Sequence, residues 1–213
     1  MTESTESFTS EYPRPVGSCV HLVSTAGVRM HEATWDSARS LDDFIAQATV
    51  HQELWMTTRR LARISDAHRL AAGSLAHPLR LLVLLEDWCG DAIHTIPVVM
   101  RLVEATPAVV LRVVRRDEHD QLMDAHLTGT ARAIPVVIAY GANGNEYGWW
   151  GPRPSALEAW VLRDGLEMEK SDRYRAIRTW YARDRGATTA AEVLTLLQHA
   201  DSATSVSLSG SDA

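Results

Sequence analysis

The sequence predicts an α/β fold, and three stretches carry the prediction. Leu79-Arg-Leu-Leu-Val-Leu-Leu85 is a nearly continuous apolar run, the pattern of a central strand covered on both faces. Val109 to Val114 repeats it, broken only by Arg112, and Ile93 to Glu104 between them reads as a helix. Strand, helix and strand in that order make a βαβ unit with parallel pairing. Ile134 to Tyr140 and Glu146 to Trp150 then flank Gly141-Ala-Asn-Gly144, whose residues tolerate positive φ, so a hairpin is expected there.

Length and composition set bounds on this core. A chain of 213 residues fits one domain with extensions, or one domain plus a small helical subdomain. A hydrophobic content of 46% is ample for a core. The net charge is −6 with no basic cluster, which argues against nucleic acid as the main partner. Met1 to Arg14 is rich in Ser, Thr and Glu, and shows no basic segment followed by an apolar core, so no signal peptide is expected. The longest apolar runs are too short for a membrane span. Two cysteines, Cys19 and Cys89, cannot build a disulfide framework. The expectation is a soluble cytoplasmic protein with no membrane partner; nothing in the sequence sets an oligomeric state.

Taken in order, residues 1–18 read as a disordered N-terminus. Residues 19–78 read as a mostly helical extension, with Val20 to Met30 a candidate first strand interrupted by Gly27. Cys19, just before it, is either a small buried hydrophobe or a distant resolving thiol. Ser40-Leu-Asp-Asp43 is a helix start with Ser40 as N-cap. Leu41, Phe44, Ile45, Ala48, Leu54, Trp55, Leu61 and Ile64 follow at helical spacing, giving one or two helices over 41–64. Ser65-Asp66 starts another, which Gly73 stops. His51 and His68 have no second ligand at metal spacing, so no metal site is expected. The core spans 79–164, with a helix from Glu118 to Leu127 and a closing helix from Ser155 to Arg163. Residues 165–200 hold two helices, about Ser171 to Asp184 and Thr189 to Gln198. Tyr174, Ile177, Trp180 and Tyr181 form one face of the first, read as packing. Residues 201–213 read as a disordered tail.

The chemistry concentrates in Glu86-Asp87-Trp88-Cys89-Gly90-Asp91-Ala92, at the junction of the first core strand and its helix. First-turn N–H groups have no helical partners, and the dipole adds partial positive charge. A thiolate placed there is stabilised.

Four features in this region resemble the thioredoxin family. Trp88-Cys89-Gly90 is similar to its W-C-G. Pro97 lies eight residues past Cys89, where the family carries the proline of the active-site helix. Ile134-Pro135 precedes Val136 to Ile138 as the family's cis-proline precedes a central strand. Gly151 follows Pro135 by sixteen residues, where the family has a glycine beside the site. The resemblance covers roughly Leu79 to Leu162. It implies a thioredoxin-like mixed sheet flanked by helices, with Cys89 as nucleophile. It also implies that Trp88, Gly90, Ile134 and Pro135 contact the substrate.

The departures are as informative. Ala92 stands where the family has its second cysteine, and Val83 stands where it keeps a buried aspartate. W-C-G-D without the second cysteine resembles a monothiol bacterial branch of thioredoxin-like proteins. The chemistry so implied is monothiol thiol–disulfide exchange on protein or small-molecule disulfides, with no bound cofactor and a low-molecular-weight thiol as co-substrate. The alternative is a redox-inactive binding or chaperone-like module. Glu86, Asp87 and Asp91 oppose ionisation of Cys89 if they come close, so a thiol of low acidity is expected. Arg132 and Trp150 are further candidate modulators, the first by charge and the second as an apolar platform. Strand alternation puts Trp149 and Trp150 on opposite faces.

Overall fold

The computed structural model describes residues 19–23 and 29–209. The proposals for residues 1–18, for the strand across residues 24–28 and for the tail at 210–213 lie outside the described residues. The architecture is a mixed five-stranded sheet flanked by helices, the expected α/β thioredoxin-like fold. In chain order the elements are β1 (Val20–Leu22), α1 (Glu32–Ser37), α2 (Leu41–Ala46), α3 (Gln52–Leu61), α4 (Asp66–Gly73) and β2 (Leu79–Leu85). Then come α5 (Gly90–Val103), β3 (Val109–Arg115), α6 (Asp120–Asp124), β4 (Val136–Gly141) and β5 (Glu146–Trp150). The chain closes with α7 (Ser155–Arg163), α8 (Lys170–Asp184) and α9 (Ala187–Ser209). Among the described residues, no helix is long and apolar enough to cross a membrane.

The strand order is β1-β5-β4-β2-β3. β2 and β3 pair in parallel in direct register, Leu79 with Val109 through Leu85 with Arg115. β2 with β4, and β4 with β5, are antiparallel. β2 is central, and from Leu81 to Leu85 every side chain is fully buried, which is why its sequence does not alternate. β1 forms, but at the far edge, antiparallel to β5. The exposed edge of β3 is instead met by a two-bond bridge, Arg39 N–H to Val113 O at 3.0 Å and Val113 N–H to Arg39 O at 2.8 Å. The extension thus shields a strand edge that would otherwise offer free backbone groups.

The N-terminal extension is docked, not appended. Ser40 and Ser65 cap α2 and α4, accepting from the N–H of Asp43 and His68. Trp35 of α1, a helix the sequence reading did not separate, lies under the guanidinium groups of Arg80 and Arg112 at 5.1 and 5.0 Å. Trp55 of α3 is fully buried and donates its indole N–H to Asp87 O at 2.9 Å.

Two boundaries move. The helix expected over 118–127 is a 3-10 turn at Arg116–Glu118 followed by the short α6. The last helix does not end near Gln198 but runs to Ser209, past the boundary drawn at 200. Its Ser-rich end still carries a helical stripe: Ala190, Val193, Leu197, Ala200 and Thr204 are buried at three- and four-residue spacing. Asp201 adds a tie, accepting from the N–H of Ala76 and His77 at 3.0 and 2.7 Å. Composition suggested a tail there; packing against α4 and the sheet made a helix.

Candidate active site

β2 delivers its C-terminal end to a tight turn in which Cys89 N–H donates to Glu86 O at 3.1 Å. Cys89 is the N-cap of α5, in extended conformation, and its Sγ accepts the Ala92 N–H at 3.5 Å. The sulfur thus occupies the place that a Ser or Asp oxygen takes in an ordinary cap. Its S–H donates to Ile134 O at 3.4 Å. The Ile134–Pro135 bond is cis. Gly151 closes the arrangement from β5: at φ +145°, an added Cβ would collide with the Pro135 carbonyl oxygen, so only glycine lets the strands approach this closely. Cys89 is 6% exposed and sits at the floor of a cleft of about 460 Å³ between α3, the 3-10 turn and α8.

The electrostatics favour the thiol. Burial first, then the charge of Asp91, push Cys89 up to about 11, against the Ala92 and Asp91 N–H groups and the charge of Arg153. The S–H donated to a carbonyl also favours the protonated form. Of the three acids expected to oppose ionisation, Asp91 is the one that acts. Glu86 and Asp87 turn the other way into the protein. Glu86 accepts from Arg115 at 2.7 Å and from the Asp117 N–H at 3.2 Å. Asp87 accepts from the Thr49 N–H at 2.9 Å and lies 3.4 Å from Arg115. Burial raises Asp87, but the Thr49 and Val50 N–H groups and Arg115 hold it below the usual carboxylate range.

The other candidates separate clearly. Trp88 is 46% exposed on the cleft rim, with the Arg116 guanidinium 5.1 Å from its ring centre. An added Cβ at Gly90 would meet nothing within 4 Å, so no packing contact requires glycine here, and Gly90 lines the cleft beside Cys89. Ile134 lines the cleft beside Cys89. Arg132 reaches the cleft too, but its guanidinium is held by Asp120 and Asp124, each at 2.6 Å. Trp150 is not at the site. It is fully buried and donates its indole N–H to Glu192 of α9 at 2.7 Å. Trp149 is also buried, stacked on His21. Cys19 and Cys89 are both free thiols, and burial together with Glu192 and Glu158 pushes Cys19 up to about 12, against Arg153.

The sequence reading missed a whole wall of the site. Arg153 Nε lies 2.8 Å from Asp91 Oδ2, an ion pair in which the N–H is not aimed at the oxygen, and its Nη1 donates to Glu158 at 2.7 Å. Tyr181 of α8 donates its hydroxyl to Asp91 Oδ1 at 2.8 Å and stacks on His94 with ring centres 4.8 Å apart. Burial lowers His94, Asp91 opposes this, and the charge of Arg178 adds to the lowering. Arg153 sits two residues past Gly151, which was its one available signal. Tyr181 belonged to a stripe read as packing. Ile177 and Tyr181 do pack on Leu157 and Val161 of α7, and Tyr181 reaches the site besides.

Comparison with known proteins agrees with this fold. A protein of unknown function from Pseudomonas aeruginosa superimposes with a TM-score of 0.64 at 19% identity, covering 80% of this chain and 98% of that one. An HIV epitope scaffold superimposes with a TM-score of 0.62 at 17% identity, covering 79% and 97%. Both are likenesses of fold. No curated protein matches the chain. The family model described as thioredoxin matches residues 38–175, so the match takes in the helical extension from the edge bridge at Arg39 onward. That span is more than half of the 213 residues, and the chain belongs to the thioredoxin family.

Proposed function

We propose that the protein is a monothiol thiol–disulfide oxidoreductase acting through Cys89. One observation carries the reading: Sγ caps α5 opposite the cis-Pro135 carbonyl neighbour Ile134, at the floor of an open cleft. The Cys89 thiolate attacks one sulfur of a disulfide. A mixed disulfide forms, the original S–S bond breaks, and the released thiolate takes a proton from water. A low-molecular-weight thiol from solution then attacks the mixed disulfide and releases Cys89. The net reaction exchanges one disulfide for another and leaves the protein unchanged. Ala92 has no thiol to complete the cycle internally. Burial and the charge of Asp91 keep Cys89 mainly as the thiol at pH 7, so capture is slow. The thiolate of such a weakly acidic thiol is a poor leaving group, so the mixed disulfide is long-lived. Substrates of this chemistry are protein or small-molecule disulfides, in a reducing compartment such as the cytoplasm.

The test is intact-mass analysis after incubation with a low-molecular-weight disulfide, followed by a thiol. One adduct should form on Cys89, faster as pH rises, and the thiol should remove it. Disulfide-reducing activity that survives Cys89→Ser sinks the proposal. The same burial and Asp91 charge favour a second reading, a redox-silent binding module. It predicts no adduct while the protein is folded, and partners retained by Cys89→Ser as well as by the parent protein.

A further inference from the structure

We infer that the cleft over Cys89 takes a carboxylate-bearing low-molecular-weight disulfide, anchored through Arg178. The inference rests on the proposed exchange at Cys89 and names its substrate class. The protein as a whole carries a net charge of −6, yet four arginines are among the residues that line the cleft. They are Arg116, Arg132, Arg153 and Arg178, and Asp91 is the one carboxylate that lines the cleft with them, other carboxylates reaching three of them from outside it.

The four arginines are not equivalent. Arg153 is held between Asp91 and Glu158. Arg132 is held between Asp120 and Asp124. Arg116 pairs with the exposed Asp117, donates to Arg132 O at 3.3 Å and lies over Trp88. Arg178 is exposed, and among the described residues no carboxylate comes within ion-pair distance of it. Its place on α8 is fixed. Arg178 lies three residues before Tyr181, on the same helix face, and Tyr181 is tied to Asp91 in the first turn of the Cys89 helix. The unpaired cation therefore stands on the α8 wall, one helical turn from the group that anchors the wall to the site.

Volume and lining narrow the ligand further. About 460 Å³ falls in the range of small-molecule sites, roughly 300–1,000 Å³. Leu54, Trp88 and Tyr174 are exposed apolar surfaces around it. A compact molecule with an apolar body, a sulfur to meet Cys89 and a carboxylate to meet Arg178 satisfies each wall. The chemistry is that of the proposed function: the Cys89 thiolate attacks the near sulfur, and the far thiolate departs and takes a proton from water.

The experiment compares exchange rates of two disulfides, anionic dithiobis(nitrobenzoate) and cationic cystamine, on protein carrying Cys19→Ala. Arg178→Ala should slow the anionic probe by about fivefold at low salt and not slow the cationic one, with Arg178→Lys restoring most of the rate. Raising salt to about 1 M should remove the difference, since the screening length falls to about 3 Å. Rates for both probes that are unchanged by Arg178→Ala, or reduced equally, overturn the substrate class and leave exchange at Cys89 standing. No exchange with either probe overturns both.

Discussion

Two acidic regions flank Cys89, and they do different work. Glu86 and Asp87, on the strand side, are buried, and Arg115, Thr49 and Val50 hold them in the protein. Asp91, on the helix side, meets Arg153 and Tyr181 from the C-terminal half of the chain. All three lie within three residues of the sulfur. Asp87 ties the N-terminal extension to the turn, and Glu86 ties the turn to Arg115 and the Asp117 N–H. Asp91 ties α8 to the site, and its charge favours the protonated thiol. Closeness in sequence does not decide which charge acts on Cys89: Asp91 acts on it although it is paired with Arg153 and Tyr181, whereas Glu86 and Asp87, turned into the protein, do not.

The largest expected effect that separates the regions is on stability. Arg115→Ala leaves two buried carboxylates without their cation and should cost about 3 kcal/mol, read by denaturant unfolding. The alkylation midpoint of Cys89 should not move. A shift of that midpoint with little loss of stability would break the comparison.

Asp91→Asn tests the other side. It removes the charge that opposes the thiolate and leaves Arg153 in place, so the midpoint should fall from about 11 towards the ordinary thiol value of about 8.5. The measurement is the pH dependence of alkylation in the Cys19→Ala background. An unchanged midpoint would assign the whole effect to burial.

Tyr181→Phe is a smaller, sharper test of the α8 anchor. It removes one hydrogen bond to a carboxylate and should cost about 1.5 kcal/mol. It should also raise amide exchange in α8 above that in α5.

The smallest effects lie in pH dependence. Asp87 is depressed when folded, so its contribution is present above its unfolded value and fades as acid passes through the folded value; Arg115→Ala should blunt that acid loss. Cys89 is raised when folded, so its contribution is present below the unfolded thiol value and is lost as pH climbs towards about 11. Cys19 is raised in the same direction, so in the Cys19→Ala background replacing Cys89 by alanine should make the alkaline loss shallower and leave the acid limb alone.

Sequence alone determined the core elements, because each depends on local information. The run from Leu79 to Leu85, apolar except at Arg80, is the length and pattern of a covered strand. Ser40 and Ser65 announce helix starts through their own side chains. Cys89, Pro135 and Gly151 sit at spacings that the fold requires. What tertiary structure decided were contacts between segments far apart in the chain. Nothing near Asp91 in sequence names Tyr181, ninety residues on, or Arg153. Nothing near Trp150 shows that Glu192 will bury it. The edge on which β1 pairs, and the length of α9 past Ala200, follow from which surfaces remain to be covered once β2 to β5 are assembled. Helix and strand patterns record how a segment meets a core in general. Which partner it meets depends on long-range packing, and the acidity of Cys89 was set there.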